Sequence, residues 1–148
     1  MPPPKTPVTA GLQPGTFTWP VRVYYEDTDA GGVVYYSNYL NFMERARTEW
    51  LRMLGFGHTA LAREQEVVFM VRKLTIEYLK PARFEDQLDV TVKLLITRGS
   101  LIEIAQAVWR GAQVLATAEV RLACVNTRSF RPVRIPRAVL GKIATGEA

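Results

Sequence analysis

Two aspartates separated by one residue, then two glycines and an aromatic run, form the part of this 148-residue sequence best suited to chemistry. The stretch reads YYEDTDAGGVVYYSNY over residues 24–39, and its acids are Asp27 and Asp29. A carboxylate held in a loop can act as a general base or as a nucleophile. Gly31 and Gly32 permit a sharp turn and the close approach of a ligand. The stretch therefore predicts a loop that presents a carboxylate to a bound molecule.

An amphipathic helix is predicted directly after this loop. Its buried face is formed by apolar residues at spacings of four, three, four and four, namely Tyr39, Met43, Ala46, Trp50 and Leu54. Ser37 or Asn38 can cap its start, and Gly55 ends it. The start of a helix offers unpaired N–H groups and a partial positive charge. Those amides can bind a developing oxyanion beside the carboxylate. This combination favours an enzyme that catalyses hydrolysis.

The acidic stretch allows three other interpretations. A calcium loop counted from Asp27 has Gly32 at position six but Asn38 at position twelve, where an EF-hand requires Glu, and a strand precedes it. A phosphatase of the Asp-x-Asp type needs a parallel α/β sheet, which the short spacing between strands excludes. An acidic turn in which Asp27 or Asp29 caps backbone amides is the third interpretation, and it stays open at this stage.

Strand patterns account for most of the remaining sequence. FTWPVRVYYE predicts a first strand, with Pro20 near an edge. Four long runs follow residue 65, and short connections between them favour antiparallel hairpins: VVFMVRKLTIEYL, QLDVTVKLLITR, SLIEIAQAVWR and QVLATAEVRLACV. An apolar helix and a half-buried sheet must cover each other. The sequence therefore predicts an α+β fold in which a five-stranded antiparallel sheet wraps a long central helix of roughly five turns.

Length and composition predict a single domain, assigned here to residues 17–140. Residues 1–16 are rich in proline and predict a disordered tail, and residues 141–148 are assigned to a C-terminal tail. No apolar run reaches the roughly 18 residues that span a bilayer, and the N-terminus lacks the apolar core of a secretory signal. A single cysteine, Cys124, fits a cytoplasmic location. Since His58 is the only histidine, no metal site is expected.

Positive charge is concentrated near the C-terminus. Residues 120–146 hold six of the 19 basic side chains and no acid, so the rest of the chain is close to neutral. Such a cluster can contact phosphate groups, or it can be a solvated tail. The sequence contains no recognisable RNA- or DNA-binding motif, so a nucleic-acid partner is not expected.

The segment VRVYYEDTDAGGVVYYSNYLNFMERARTEWL closely resembles the YbgC-type acyl-CoA thioesterases, of the hydroxybenzoyl-CoA thioesterase group of hotdog-fold enzymes. The resemblance continues through VVFMVRKLTIEYLKPARFEDQLDV and RPVRIP and covers residues 17–140. It rests on the pattern Asp-x-Asp-x-x-Gly-x-Val-Tyr-x-x-Asn-Tyr. It implies a hotdog fold and hydrolysis of an acyl-CoA to the free acid and coenzyme A. No cofactor is implied, because coenzyme A is part of the substrate.

The resemblance also implies roles for individual residues. The family's catalytic carboxylate matches Asp29, and the amide that polarises the thioester carbonyl matches the backbone N–H of Tyr36. Asp27, Gly32 and Asn38 match positions that shape the loop and cap the helix. Close relatives often carry His where this sequence has Tyr36, so an imidazole at that position is not an essential base here. Whether Asp29 acts as base or nucleophile is left open, and His58, outside the motif, is not expected to be catalytic.

The sequence offers several candidates for the residues that contact the substrate. Three places offer partners for the phosphates of coenzyme A: the hairpin turn at Arg98, Gly99 and Ser100, the cluster of Arg128, Arg131 and Arg134, and Arg72 or Lys73. Each could equally be solvated surface charge. Parts of Phe42, Met43 and the aromatic residues near Tyr35 are candidates for the acyl pocket, with burial in the core as the alternative.

Exposed sheet edges predict self-association. The resemblance implies a homodimer whose two sheets continue side by side with active sites at the interface, and a dimer of dimers is also compatible. Acyl carrier protein could replace coenzyme A as the carrier. The YbgC-type branch is associated with the Tol-Pal envelope system, so a non-catalytic module that binds an acyl carrier or an envelope partner is the alternative function. The presence of Asp29 favours the enzyme.

Overall fold

A computed structural model describes residues 15–145. Five strands form one antiparallel sheet in the order β1-β3-β4-β5-β2. The strands are β1 (Thr16–Arg22), β2 (Val67–Tyr78), β3 (Gln87–Arg98), β4 (Leu101–Arg110) and β5 (Gln113–Asn126). The helices are α1 (Asn38–Met53), α2 (His58–Ala60), which continues into a π-helical turn (Leu61–Gln65), and α3 (Arg137–Thr145). The predicted α+β arrangement of one antiparallel sheet against one principal helix is confirmed.

Helix α1 packs on one face of the sheet, against β1, β3 and β4. Its 16 residues make about four and a half turns, slightly fewer than predicted. Tyr39, Met43, Ala46 and Trp50 are all buried, as the spacing predicts. The predicted cap is wrong: Ser37 has helical backbone angles and makes no side-chain capping bond. The Asn38 side chain points back to the acidic loop instead and donates to the carbonyl of Asp27 at 2.9 Å.

A buried glutamine fixes α1 against the sheet. Gln106 on β4 is only 2% exposed. Its Nε2 donates to the carbonyl oxygens of Met43 (3.1 Å) and Thr91 (3.4 Å), and its Oε1 accepts from Arg47 at 3.0 Å. Since a buried amide without partners is costly, these bonds favour one rotation of the helix on the sheet. The sequence pattern did not distinguish Gln106 from other strand residues.

The connection between β2 and β3 crosses one end of the sheet, because these two strands are not neighbours. It occupies residues 79–86 and runs past the start of α1, where Ala82 is fully buried. The amide of Ala82 donates to Tyr39 Oη at 2.9 Å. This crossing segment, residues 79–86, therefore lies against the start of α1, where the acidic loop packs on it.

The ends of the domain differ from the predicted bounds. Thr16 already belongs to β1, and the rest of the tail predicted at 1–16 lies outside the described residues apart from Gly15. At the other end, α3 runs past the predicted boundary at 140, because Val139 and Ile143 lie one turn apart and both enter the core. In the part of the chain that the structure describes, no helix is both long and apolar enough to cross a membrane.

Candidate active site

The acidic loop is clamped to the crossing segment by backbone hydrogen bonds. The amide of Val34 donates to the carbonyl of Ala82 at 2.8 Å, and Val33 forms an isolated β-bridge with Arg83. Thr28 and Val34 form a second bridge, which closes the loop on itself. Asp29 lies within this closed turn and Tyr36 follows it by two residues, so one hydrogen-bonded unit carries both residues with predicted catalytic roles.

Asp27 serves the structure of the loop. It is only 8% exposed, and its Oδ2 accepts from the amide of Tyr24 at 2.8 Å. Its carbonyl oxygen accepts from the amide of Tyr35 at 3.0 Å and from Asn38 Nδ2 at 2.9 Å. These bonds join the beginning of the loop to the start of α1. The acidic-turn interpretation therefore describes Asp27 well.

Asp29 is exposed and only half engaged. Its Oδ1 accepts from the amide of Gly31 at 2.8 Å, whereas within residues 15–145 its Oδ2 has no hydrogen-bond partner. A Cβ at position 31 would lie 3.3 Å from Oδ1, so the glycine leaves room for the carboxylate. Gly32 has φ of +82°, a left-handed conformation that glycine adopts without strain, and its amide donates to the carbonyl of Asp29. The turn thus orients the carboxylate and leaves one oxygen free.

The backbone amide of Tyr36 is also free. The amide of Tyr35 donates to the carbonyl of Asp27, and that of Asn38, two residues after Tyr36, donates to the carbonyl of Tyr35, but the amide of Tyr36 meets no acceptor in the described chain. It lies just before α1, where the helix leaves N–H groups unpaired. The carbonyl of Tyr36 accepts from Tyr78 Oη at 3.1 Å, which orients this peptide unit. An oriented, unpaired donor of this kind can bind a developing negative charge.

Tyrosine rings line the start of α1. The ring centroids of Tyr36 and Tyr78 are 6.1 Å apart, those of Tyr39 and Tyr78 are 5.3 Å apart, and those of Tyr35 and Tyr36 are 4.9 Å apart. Burial raises the pKa of Tyr39 and of Tyr78, so both phenols are neutral. Tyr78 is a site residue that sequence reasoning missed, because it is the last residue of β2 and reaches Tyr36 only through the tertiary fold.

A groove between α1 and β2 leads away from Tyr36. Its first part is a cavity of about 590 Å³ lined by Tyr36, Leu40, Asn41, Glu44, Arg47, Val71, Leu74, Ile76 and Tyr78. A second cavity of about 260 Å³ shares Glu44, Arg47 and Val71 and extends to His58. Phe42 and Met43, predicted for the acyl pocket, are fully buried and line neither cavity. The uncovered inner side of β2 provides the apolar wall in their place.

The predicted phosphate-binding residues lie at the opposite end of the sheet. The amide of Ile135 donates to the carbonyl of Gly99, and the amide of Cys124 donates to the carbonyl of Ser100. The hairpin turn at residues 98–100 and residues 128–134, here called the arginine segment, are therefore neighbours. Strand β3 runs from the loop end to Arg98, and its 12 residues correspond to about 36 Å of strand. Within one chain the structure does not bring these residues to Asp29. Arg72 and Lys73 are exposed at a bulge midway along β2.

Other reactive groups do not join the loop. Burial raises the pKa of Cys124 to about 11, so its thiol is neutral near pH 7. His58 Nε2 lies 3.4 Å from Thr48 Oγ1 at the far end of the groove. Across residues 15–145, no three His, Cys, Asp or Glu side chains come together in a way that could hold a metal ion. A separate depression of about 570 Å³ on the sheet contains Thr91, Ala105 and Trp109 and neither Asp29 nor Tyr36.

Comparison with known proteins places this architecture in one group. The family model of the thioesterase-like superfamily matches residues 23–143. The acyl-CoA thioesterase YbgC of Haemophilus influenzae is 46% identical over 123 residues, which cover 83% of this chain and 90% of that protein. The acyl-CoA thioester hydrolase YbgC of Escherichia coli O6:H1 is 44% identical over 127 residues, covering 85% and 94%. A probable thioesterase from Bartonella henselae superposes with a TM-score of 0.78 at 35% identity, covering 82% and 99%.

Proposed function

Because the chain belongs to the thioesterase-like superfamily and to its YbgC group of acyl-CoA thioesterases, we propose that it hydrolyses acyl-CoA at Asp29 and the amide of Tyr36. The observation that carries the proposal is that the acidic loop and the start of α1 present, within residues 15–145, one carboxylate oxygen of Asp29 and one backbone N–H of Tyr36 without hydrogen-bond partners. The proposal assigns to these residues the roles that the sequence resemblance implied. Residues 24–39, which form the loop and the start of α1, contain no cysteine and no histidine.

The chemistry needs only these two groups and water. As a base, Asp29 takes a proton from a water molecule whose oxygen adds to the thioester carbon. As a nucleophile, it forms a mixed anhydride that water then cleaves. In either route the amide of Tyr36 binds the oxyanion, an effect worth about 3–4 kcal/mol. Collapse of this oxyanion breaks the C–S bond, which gives the free acid in the first route and the mixed anhydride in the second, and the thiolate of coenzyme A leaves and takes up a proton. Coenzyme A enters as part of the substrate, and the route requires no cofactor.

The proposed assembly is a homodimer joined through β2. This strand is at one edge of the sheet and, in the described chain, pairs only with β5. Met70, Val71 and Tyr78 are exposed along it. An unpaired edge of 12 residues with exposed apolar side chains is a template for another strand. A second copy in antiparallel orientation covers both edges at once, and two such dimers can associate further.

Dimerisation through β2 also accounts for the distant arginines. Val67, at the beginning of β2, pairs with Asn126, just before the arginine segment. In an antiparallel pair of β2 strands, that end lies beside Tyr78 of the other copy. Arg128 and Arg131 of one copy are thereby brought towards the loop of the other. This arrangement supports the proposal that coenzyme A is bound between copies, with its phosphates on the arginine segment.

The proposed setting is the cytoplasm, and the proposed acyl carrier is coenzyme A. The free thiol of Cys124 is compatible with a reducing compartment. Use of acyl carrier protein and an association with the Tol-Pal system stay predictions from the resemblance.

The test is a panel of thioesters given to the purified protein. Short aliphatic, long aliphatic and aromatic acyl groups are presented on coenzyme A and on acyl carrier protein, and thiol release is followed with Asp29→Asn as the matched control. We expect turnover of at least one acyl-CoA by the wild type and its loss in the variant. A folded protein that turns over no member of the panel refutes the enzyme and favours the non-catalytic acyl-carrier module.

A further inference from the structure

Arg47 is a cation in the groove and has no carboxylate partner among residues 15–145. Its side chain lines both cavities and is partly withdrawn from solvent, and burial lowers its pKa. One guanidinium nitrogen donates to Gln106 at 3.0 Å. Within the described range 15–145, no carboxylate oxygen lies within 4.0 Å of it. A guanidinium has five N–H donors, and withdrawing it from water without an anion is costly. The remaining donors therefore call for a partner from outside the chain.

Glu44 lies one turn before Arg47 and faces the same groove. It is exposed, and its field acts on Arg47, but the two side chains do not form an ion pair within the chain. The groove thus presents one acid and one base side by side, both free to pair across an interface.

These two residues lie opposite the middle of β2. Both cavities combine Glu44 and Arg47 with Val71, which precedes the bulge in that strand. If two β2 strands pair along their whole length, the two-fold axis passes beside residues 72 and 73. Glu44 and Arg47 of both copies are then near the axis and face each other. Without crosswise pairing, two desolvated arginines would repel each other there.

We propose that Arg47 of each copy pairs with Glu44 of the other across the two-fold axis and so closes the groove that leads from Tyr36. The inference rests on the proposed dimer through β2. A two-fold interface is self-complementary, so one contact between Glu44 and Arg47 generates the second by symmetry. The occupant of this face is therefore a second copy of the chain, because its charges complement those of the groove.

The test exploits that symmetry with Arg47→Glu and Glu44→Arg. A homodimer of either variant opposes like charges at both contacts, whereas a mixed dimer has two complementary contacts. The two variants carry tags of different mass, and native mass spectrometry measures dimerisation of each alone and of the equimolar mixture. We expect the dimer Kd of each variant alone to rise at least about tenfold. We expect the mixture to form predominantly mixed dimers, and the double variant to form homodimers again.

Arg45→Glu is the matched control, because Arg45 is exposed on the same helix, over the ring of Phe42, and lines neither cavity. It should leave dimerisation unchanged. Thermal melts establish that all variants fold. Folded single variants that stay dimeric, or a mixture that shows no preference for mixed dimers, overturn the crosswise pair. The thioester panel on the wild type is an independent measurement. Thioester hydrolysis together with random mixing of the variants refutes only the proposed ion pair between Glu44 and Arg47. Selective formation of mixed dimers without hydrolysis refutes only the proposed thioesterase activity. A monomeric wild type removes the dimer and the pair together.

Discussion

The two ends of the sheet carry the two sets of residues that the sequence singled out, and they present their functional atoms differently. At the loop end, the Asp29 carboxylate is held by the amide of Gly31, and the loop is bonded to the crossing segment through Val33 and Val34. At the arginine end, the backbone is also ordered, since Asn126 Oδ1 accepts from the amides of Arg128 and Ser129. The charges there, however, sit at the tips of long exposed side chains.

This difference in how the functional atoms are held fits two different roles, catalysis at the loop end and electrostatic attraction of phosphates at the arginine end. Bond making depends on geometry at the level of fractions of an ångström, so its atoms belong on rigid backbone. Attraction of phosphates acts over about 10 Å at ordinary salt and tolerates mobile side chains. Changes at the loop end should therefore appear in kcat, and changes at the arginine end in KM.

The largest effect is expected from Asp29→Asn. The substitution preserves size and the bond from Gly31 but removes the basic, nucleophilic oxygen. We expect kcat to fall by roughly two to four orders of magnitude, with KM and Tm little changed. Steady-state hydrolysis of a preferred acyl-CoA measures this. Retention of more than about a tenth of the wild-type kcat would show that the carboxylate is not a positioned acid–base group.

Asp27→Asn should have a smaller effect that acts through loop order. The buried Oδ2 loses its charge while it faces the amide of Tyr24, and charge-assisted bonds of this kind contribute about 1.5–3 kcal/mol. We expect a lower Tm together with a loss of rate well below that of Asp29→Asn. The same assay and a thermal melt test this. An unchanged Tm with a rate loss equal to that of Asp29→Asn would assign chemistry to Asp27.

Charge reversal at the arginine end should raise KM. A variant with Arg128, Arg131 and Arg134 all changed to Glu should raise KM for acyl-CoA several-fold and make it less sensitive to salt, because exposed charges are screened. kcat should stay constant if the contact binds ground and transition states equally. Arg63→Glu, an exposed arginine outside the cluster, is the control. If the triple variant and the Arg63→Glu control had the same KM, the cluster would be solvated surface charge.

The smallest effect is expected from His58→Ala. The imidazole lies beside Thr48 at the far end of the groove and touches neither Asp29 nor Tyr36 in its own chain. Hydrolysis should stay within a few-fold of wild type. A hundredfold loss with an intact fold would mean that His58 takes part in the chemistry.

Local patterns allowed much of the site to be anticipated. The turn from Asp27 to Gly32 and the spacing of Tyr39, Met43 and Ala46 involve residues close in sequence, so their geometry follows from backbone preferences and from burial of one helix face. The side-chain cap predicted at Ser37 or Asn38 is not formed: Ser37 has helical backbone angles, and the Asn38 side chain donates to the carbonyl of Asp27 in the loop. The Gln106 contacts were not predictable, since Met43 and Thr91 become its neighbours only when helix and sheet pack.

The local sequence was sufficient to predict the five strands, the acidic turn and helix α1, because each depends on patterns within a few residues, whereas α2 and α3 were not predicted. The residues that line the groove depend instead on how the helix and the sheet pack. Five strands at about 4.8 Å spacing span about 19 Å, whereas one helix with its side chains is about 10 Å wide. A single helix cannot cover such a sheet, so Leu74, Ile76 and Tyr78 on the edge strand lie beside a cavity although their alternation marks a buried face. The same limit separates Arg98 from Asp29, because a strand's length sets how far apart its two ends lie.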